Sequence, residues 1–598
     1  MRRGLIIMAA TLRPAADGPA WTPVENVAIA RVLAEIGDLL EIRGDNPFKI
    51  RAYRNAAQAV RDWGERVATM PVADVRAIPG IGKDIAAKIA ELVETGGSAF
   101  HRELAAEFPA GLLDVLRLQG VGPQTAALLY KTLGIGSVDD LKAALAAGTV
   151  RDVKGMGPGK EAALRKAIED HQTFAGRYLA SEVWQQAHAL LTHLREHCPD
   201  TTFDLVGSLR RGVETCGDLD VLATDAPADV MERFVTFARV ERVLGQGPTK
   251  SSVRLAKGLQ ADLRVVPRES RGAALQYFTG SKAHNIELRD RAMRQGYKLN
   301  EYGLFRIDDD GRVAGESEAD VYEALGLPWI APELRECRGE FEAARDGRLP
   351  ALVERTDLRG DLHCHTTATD GKDTIRAMAL AAREAGLTYL AITDHSQSLA
   401  MANGLDERRA LEHAAQVHAI GNELDGITLL AGIECDIRPD GTMDLADECL
   451  AQLDVVVASV HSALTQEPER MTDRVLRALE CPYVDILGHP TGRMLLRRDA
   501  SALDVEAVIA AAARLGVALE INGQPHRRDL HDSHARLARD RGVTIVLSSD
   551  AHGVNGFEHL HWATFTARRA WLTPGDILTC LPLDALQRAL RRHRPRPA

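Results

Sequence analysis

From residue 358 onward the chain alternates. Short apolar runs, 389-YLAIT-393, 428-TLLAGIE-434, 454-DVVVASV-460, 484-VDILGH-489, 516-GVALEIN-522 and 543-VTIVLSS-549, are separated by stretches with helical spacing. Such alternation folds as repeated βα units, either an open parallel sheet or a closed barrel. Histidine concentrates in the same region: 14 of the 20 lie in residues 351–598. So does negative charge. Residues 1–350 hold 46 Lys+Arg and 49 Asp+Glu, a net of -3, and the remaining 27 and 35 give -8 of the total -11. A histidine-rich, acid-rich segment on a βα frame is what a metal-loaded domain looks like, and the chain divides near residue 350.

A length of 598 residues predicts several domains. With 45% apolar and 26% charged residues, disorder of the whole chain is excluded. No run of 18 apolar residues appears, which argues against a transmembrane helix. The opening MRRGLIIMAA is too short in its apolar part for a secretory signal, and Met8 is an alternative start. The eight cysteines form no C-x-x-C pair, as expected of a reducing cytoplasm and not of a disulfide frame or a cysteine zinc knuckle.

Helical spacing runs through residues 26–63 and 101–200. Three segments there share one design: 78-IPGIGKDIAAKI-89, 118-LQGVGPQTAALL-129 and 153-VKGMGPGKEAAL-164. Each has an apolar residue, Gly-x-Gly, then a helix. The glycines Gly80, Gly82, Gly120, Gly122, Gly155 and Gly157 permit tight turns and close approach of a partner. The free N–H groups of the following helix suit a phosphate oxygen. One such segment is explained by packing alone; three favour the helix–hairpin–helix motif, which grips the DNA backbone without reading sequence. Lys83, Lys88, Lys154 and Lys160 add charge nearby.

Between residues 203 and 266 the pattern changes to strands, 203-FDLVG-207, 219-LDVLAT-224 and 262-DLRVV-266. In 207-GSLRRGVETCGDLDVL-222, Asp218 and Asp220 stand two apart on a strand, so both carboxylates share a face. Hard oxygen ligands on one face suit Mg2+, and Asp262 supplies a third carboxylate from a neighbouring strand. Gly207 and Ser208 begin a helix able to hold triphosphate, with Arg211 as a cationic clamp. A lone D-x-D would be an exposed acidic strand; with the upstream Gly-Ser and the later acid it points to nucleotidyl transfer.

The segment 277-YFTGSKAHNIELRDRA-292 decides the kind of transferase. Here the chain resembles the family X DNA polymerases, the DNA polymerase beta type, from about Val27 to Glu336. The resemblance implies catalytic acids at Asp218, Asp220 and Asp262. It implies nucleotide contacts from Gly207, Ser208, Arg211, Gly217, Tyr277, Phe278, Gly280 and Asn285, and DNA contacts from Arg264 and Arg289. It also implies a thumb containing 299-LNEYGLF-305. The N-terminal part is similar to the family's lyase domain, with Lys88 aligned to the Schiff-base lysine and Lys49 and Tyr53 to phosphate-side positions. Asp84 replaces a second lysine of the pattern, and an acid there would repel a 5′-phosphate.

In the last region, 361-DLHCHTTATDG-371 places His363 and His365 two apart on a strand, with Asp370 after them. His395, Glu434, His461, His489, Asp550 and His552 follow, nearly all at C-terminal ends of strands, where a βα barrel assembles its site. Mixed imidazole and carboxylate ligands suit Zn2+, Mn2+ or Fe2+, and there are too many for one ion. The pattern resembles the PHP (polymerase and histidinol phosphatase) domain over roughly residues 358–575. That family is a distorted βα barrel with three metals, and all nine residues match its ligand positions. His526, His531 and His559 are read as structural or substrate-side.

The expected layout is a tail (1–25), a lyase-like DNA-end-binding domain (26–100), a second helix–hairpin–helix domain (101–180), a palm (181–268), a thumb (269–338), a linker (339–357) and the PHP barrel (358–598). The expected function is gap filling in DNA repair by a DNA-directed polymerase with Mg2+, coupled to a 3′–5′ exonuclease or 3′-end phosphoesterase with Mn2+ or Zn2+. 5′-deoxyribose phosphate lyase and abasic-site endonuclease are further activities to consider. Alternatives are a DNA-end-binding scaffold with a silent barrel, and a histidinol-type phosphatase tethered to a polymerase. Partners are gapped or nicked DNA and dNTPs, without a membrane. The protein is expected as a monomer in a prokaryotic cytoplasm.

Overall fold

The computed structural model describes residues 26–62, 67–78, 80–95, 97–109, 111–116, 118, 121–174 and 176–590. The 1–25 tail, Met8 and Gly120 lie outside the described residues. The chain divides into two compact units, Met1–Thr173 and Phe174–Ala598.

The described part of the first unit is helical. The three Gly-x-Gly turns lead into α1 (Lys83–Thr95), α2 (Pro123–Leu133) and α3 (Pro158–Phe174). Before each helix one backbone bond closes the same turn: Ile81 N–H to Ile78 O (3.0 Å), Val121 N–H to Leu118 O (3.1 Å) and Met156 N–H to Val153 O (2.9 Å). All six of these apolar residues are buried. Gly80 and Gly155 adopt φ of +90° and +91°, conformations that favour glycine. The spacing of the sequence motif is thus reproduced as one repeated turn held by its two apolar flanks.

After the helix Ala180–His197, the second unit forms a five-stranded sheet made of β1 (Thr202–Leu205), β2 (Asp218–Thr224), β3 (Val240–Gln246), β4 (Lys250–Leu255) and β5 (Gln260–Val266), in the order β1-β2-β5-β4-β3. β2 and β5 are parallel and the other neighbours antiparallel. The sequence reading missed the β3–β4 hairpin. β3 lies at the sheet edge with Glu241 to Gln246 exposed, so no buried face imposes alternation on VERVLGQ. Next come α4 (Arg271–Thr279), α5 (Lys282–Arg294) and a three-stranded sheet, β6 (Tyr297–Asn300), β7 (Gly303–Arg306) and β8 (Arg312–Ala314). Ser281 caps α5 by accepting from His284 N–H.

Residues 339–357, expected as a connector, are instead packed. They carry α6 (Glu340–Arg345), in which Glu340, Phe341, Ala343 and Ala344 are buried. Glu340 lies 2.8 Å from His284 Nδ1 and Phe341 stacks on the same imidazole. One charge of this segment, Glu340, is consumed internally, while Glu342, Arg345, Asp346 and Arg348 stay exposed.

The remainder is a seven-stranded parallel sheet in sequential order: β9 (Gly360–Asp361), β10 (Tyr389–Ile392), β11 (Thr428–Asp436), β12 (Val455–Ser459), β13 (Ile486–Leu487), β14 (Ala518–Asn522) and β15 (Ile545–Ser548). A parallel bridge between Cys364 and Ala551 joins its first and last edges, with His365 N–H donating to Ala551 O at 2.8 Å. The result is a nearly closed βα barrel, as expected. Both faces of the strands are covered by apolar clusters, which is why these strands read as continuous hydrophobic runs. No described helix is long and apolar enough to cross a membrane.

Candidate active sites

The first site forms where β2 and β5 run side by side. Asp220 and Asp262 are direct register partners, and Asp218 precedes Asp220 by one pleat repeat on the same face. The acids strain against one another. Burial, then Asp218 and Asp262, push the Asp220 carboxyl up to about 6. Burial and Asp262 raise Asp218 as well. Burial would raise Asp262 too, but the Lys250 ammonium 2.8 Å away, Ser252 and Gln260 hold it below its ordinary value. An all-oxygen donor set with mutual repulsion is the environment that a hard divalent cation relieves. Lys250 was not anticipated; it sits on the hairpin that the sequence did not reveal.

Gly207 is required here. Its φ is +68°, and a Cβ would stand 2.6 Å from Asp220 Oδ2. The helix it opens, Gly207–Arg210, is a single turn, so its dipole contributes less than the sequence reading assumed. Ser208 Oγ is buried without a hydrogen-bond partner. Two residues expected to face a nucleotide are engaged within the protein. Arg211 donates to Glu336 Oε1 (3.1 Å) and Thr279 O (2.5 Å). Asn285 donates to Tyr277 O (2.6 Å) and accepts from Gln276 (2.7 Å). Tyr277 and Phe278 end α4, Arg264 lies over the Phe278 ring at 4.5 Å, and Gly280 has φ +71°. Gly217 and Arg289 are exposed.

The second site lies at the C-terminal ends of the barrel strands. Three groups have ligand atoms all within 4.8 Å of one another: His365, Asp370, His395 and His552; His363, His365 and Asp550; His395, Glu434 and His461. His365 and His395 each belong to two groups, so the cage is continuous. Among the described residues such convergence occurs only here; the acids on β2 and β5 are a looser set. Of the nine expected ligands only His489 stands outside the groups, with Nε2 2.9 Å from Glu434 Oε1. His363 and His365 also depart from expectation in their backbone. β9 ends at Asp361, so the pair follows the strand and does not lie on it.

His363 Nε2 and both ring nitrogens of His365 are buried without hydrogen-bond partners. Unsatisfied imidazole nitrogens facing buried carboxylates fit a set of divalent cations with nitrogen and oxygen ligands. The electrostatics agree. Burial would lower His395 and His461, yet Glu434 with Asp370 or Asp436 holds them at about 10 and about 9. Burial, His552 and His395 press His365 down to about 4.

Sequence reasoning missed the residues that orient these ligands. Glu520, fully buried on β14, lies 2.7 Å from His363 Nδ1 and accepts from His489 N–H at 2.5 Å. Asn522 donates to Asp550 (2.9 Å), and Asp436 lies 2.8 Å from His461 Nδ1. Asp394 accepts from Thr366 and Thr369 and lies 2.9 Å from His413. A signal existed for Glu520: one carboxylate inside the apolar run VALEIN. His531 caps a helix and His559 lies 3.1 Å from Ser549 O, both structural arrangements.

In the first unit, Lys88 Nζ is 2.7 Å from Asp84 Oδ2 and 5.1 Å above the Phe100 ring. Burial would lower this ammonium, but Asp84 and Tyr53 hold it above its ordinary value.

Comparison with known proteins matches five family models along the chain. They are a helix-hairpin-helix domain (24–98), a SAM-like helix-hairpin-helix tandem (112–170), the DNA polymerase beta palm (179–254), the DNA polymerase beta thumb (274–336) and the PHP domain (361–524). The DNA polymerase/3'-5' exonuclease PolX of Bacillus subtilis (strain 168) is 36% identical over 568 residues, 94% of this chain and 99% of its own length. The chain belongs to the family X DNA polymerases that carry a C-terminal PHP domain. A "probable phosphatase" of Shewanella sp. (strain MR-4) is 32% identical over 33% of this chain and 79% of its own length. Another, of Thermoanaerobacter sp. (strain X514), is 30% identical over 32% and 78%. The palm match ends before Asp262 and the PHP match before Asp550 and His552. These two acids and one histidine therefore rest on geometry: Asp262 on its register with Asp220, Asp550 on its 3.3 Å approach to His365 Nε2, and His552 on its place in the first group.

Proposed function

We propose that this chain is a DNA-directed DNA polymerase that fills short gaps in DNA and degrades DNA from the 3′ end with its PHP domain. The observation that carries the reading is the coexistence of two separate ligand sets in one chain: the register-paired acids of the palm and the continuous imidazole–carboxylate cage of the barrel. It is supported by the relative of matching length, which is named for both activities.

In the palm, Asp218, Asp220 and Asp262 would hold Mg2+, which when bound promotes attack of the primer 3′-hydroxyl and departure of pyrophosphate. Ser208 Oγ and Arg211 would receive the triphosphate. Tyr277, Phe278 and Gly280 border the sugar, Asn285 the base edge, and Arg264 and Arg289 the DNA. In the barrel, His363, His365, Asp370, His395, Glu434, His461, Asp550 and His552 would hold three ions of Mn2+ or Zn2+ type, the Lewis acids for phosphodiester hydrolysis. His489 borders this set through Glu434. Glu520 and Asp436 fix the imidazoles of His363 and His461. The glycine turns of the first unit would hold the DNA backbone.

Residues 26–100 are best read as an end-binding module. An ammonium held protonated by Asp84 is a poor nucleophile, so the Lys88 environment counts against a lyase. One experiment tests these readings: a gapped duplex with a labelled primer and a 5′-deoxyribose phosphate, incubated with Mg2+ or Mn2+. Asp220→Ala should abolish incorporation and keep 3′ degradation, and His363→Ala should do the reverse. Full 3′ degradation by His363→Ala would remove the nuclease assignment. Borohydride should trap no adduct that Lys88→Ala abolishes.

A further inference from the structure

The polymerase and PHP domains share one charge relay beside Arg211. Arg569, from the PHP helix Leu560–Arg569, is 7% exposed. Its Nε donates to Asp532 (2.7 Å), which also takes Arg338 (3.1 Å). Its other arm donates to Glu336 Oε1 (2.9 Å) and to the backbone carbonyl of Arg211 (3.0 Å). The same Glu336 Oε1 accepts from Arg211 Nε at 3.1 Å. A single carboxylate oxygen is therefore shared by two guanidinium groups, one from the palm and one from the PHP domain.

This sharing matters when an anion arrives. Were Glu336 paired with Arg211 alone, any anion drawing Arg211 away would leave a largely buried carboxylate unpaired beside it. That state is penalised by desolvation and by like-charge repulsion. With Arg569 in place, Glu336 keeps a partner whether or not Arg211 stays. Burial would raise the Glu336 carboxyl, yet Arg569 and Arg211 together hold it below its ordinary value.

We propose that Arg569 is a positioning residue for the incoming nucleoside triphosphate: by neutralising Glu336 it releases Arg211 to bind the phosphates. This rests on the reading of Arg211 as a triphosphate contact. It gives the PHP domain a part in polymerisation that is separate from its own chemistry.

The test uses the full chain, with steady-state KM and kcat for dTTP on a one-nucleotide gap, and equilibrium binding of dTTP as a second readout. Arg569→Gln is expected to raise KM and the dTTP dissociation constant about tenfold (about 1.4 kcal/mol). kcat should stay within about twofold, and 3′ degradation should be unchanged. Adding Glu336→Gln to Arg569→Gln should restore KM to within about twofold of the parent, because no carboxylate then competes for Arg211. Arg569→Lys, which keeps the charge, should fall between. A double variant as impaired as Arg569→Gln would overturn the relay and leave Arg569 a packing residue. Unchanged KM in Arg569→Gln, with KM raised in Arg211→Gln, would overturn it too. Unchanged KM in Arg211→Gln would instead overturn the Arg211 reading beneath it. If Arg569→Gln fails to fold, Glu336→Gln alone decides: a lowered KM supports the proposal and a raised one refutes it.

Discussion

Glu318 shows how much of this polymerase is held by charges that a sequence reader assigns to the surface. Its carboxylate takes two bonds from Arg210 (2.6 and 2.9 Å), one from the fully buried Arg335 (2.6 Å) and one from Trp329 (3.2 Å). Burial would raise the carboxyl, but Arg335 and Arg210 outweigh it and bring it down to about 2 from an ordinary 4.5. The folded value lies below the unfolded one, so this contribution to stability is complete above about pH 4.5 and is lost as pH falls toward 2. Glu318→Gln is expected to destabilise the protein by about 3–5 kcal/mol at neutral pH, since it strands Arg335 as an unpaired buried charge. Urea unfolding at pH 7 measures that loss. The same measurement between pH 5 and pH 3 should show a shallower decline in the variant than in the parent. None of this was visible in SEADVYEALGLPW, where Glu318 looks like an ordinary first-turn acid. Eight of the nine expected barrel ligands, in contrast, converge where the sequence pattern placed them, whereas the partners that aim them lie as far as 157 residues away, as Glu520 does from His363.

At the scale of elements, legibility followed burial. Parallel strands covered on both sides must be apolar, so six of the seven barrel strands stood out, while the two-residue β9 gave no pattern at all. The edge hairpin β3–β4 escaped for the opposite reason: one exposed strand obeys no rule. The glycine turns are instructive because their two glycines are needed for different reasons. Gly80 and Gly155 have φ near +90°, so the turn itself demands them. Gly82, Gly122 and Gly157 have no positive φ, and a Cβ on any of them would meet nothing within 4 Å. The fold does not require glycine there, whereas a DNA backbone lying against the turn would. Gly82→Ala and Gly157→Ala should therefore shift thermal unfolding by no more than about 1 kcal/mol, the ordinary helix-cap difference. They should weaken binding to a gapped duplex several-fold, while Gly155→Ala should also cost stability. Melting curves paired with DNA titrations separate the two effects; equal destabilisation by all three would refute the distinction.

At the scale of the second unit, the chemistry divides near residue 350 but the packing does not. Arg528 of the PHP domain is buried and donates to the carbonyls of Gly212 and Val213, each at 2.8 Å, in the loop that separates Arg211 from Asp218. Arg493 pairs with Glu214 on the same loop. A Cβ on Gly212 would meet Phe565 at 2.5 Å, Trp562 belongs to the palm core and Trp571 to the thumb core. Burial lowers Arg528 to about 10, still far above neutral pH, so it remains a cation, with two of its hydrogen bonds on palm backbone and its Nε on Thr566 Oγ1. These arginine contacts join residues 279 to 316 apart, and hydropathy places arginines in water, so the packing between the two parts was not legible in the sequence. The consequence is asymmetric. His363→Ala in the full chain removes only a proposed metal ligand and should leave incorporation intact. A chain ending at residue 338 removes Arg528, Arg569 and both tryptophans together, and leaves the loop carbonyls and two apolar clusters uncovered. Such a fragment should melt well below the full chain and incorporate dTTP with a raised KM, even at temperatures where it stays folded. A fragment matching the full chain in both melting and KM would mean that the PHP domain is a passenger of the polymerase and that the buried arginines between them do no more than fill space.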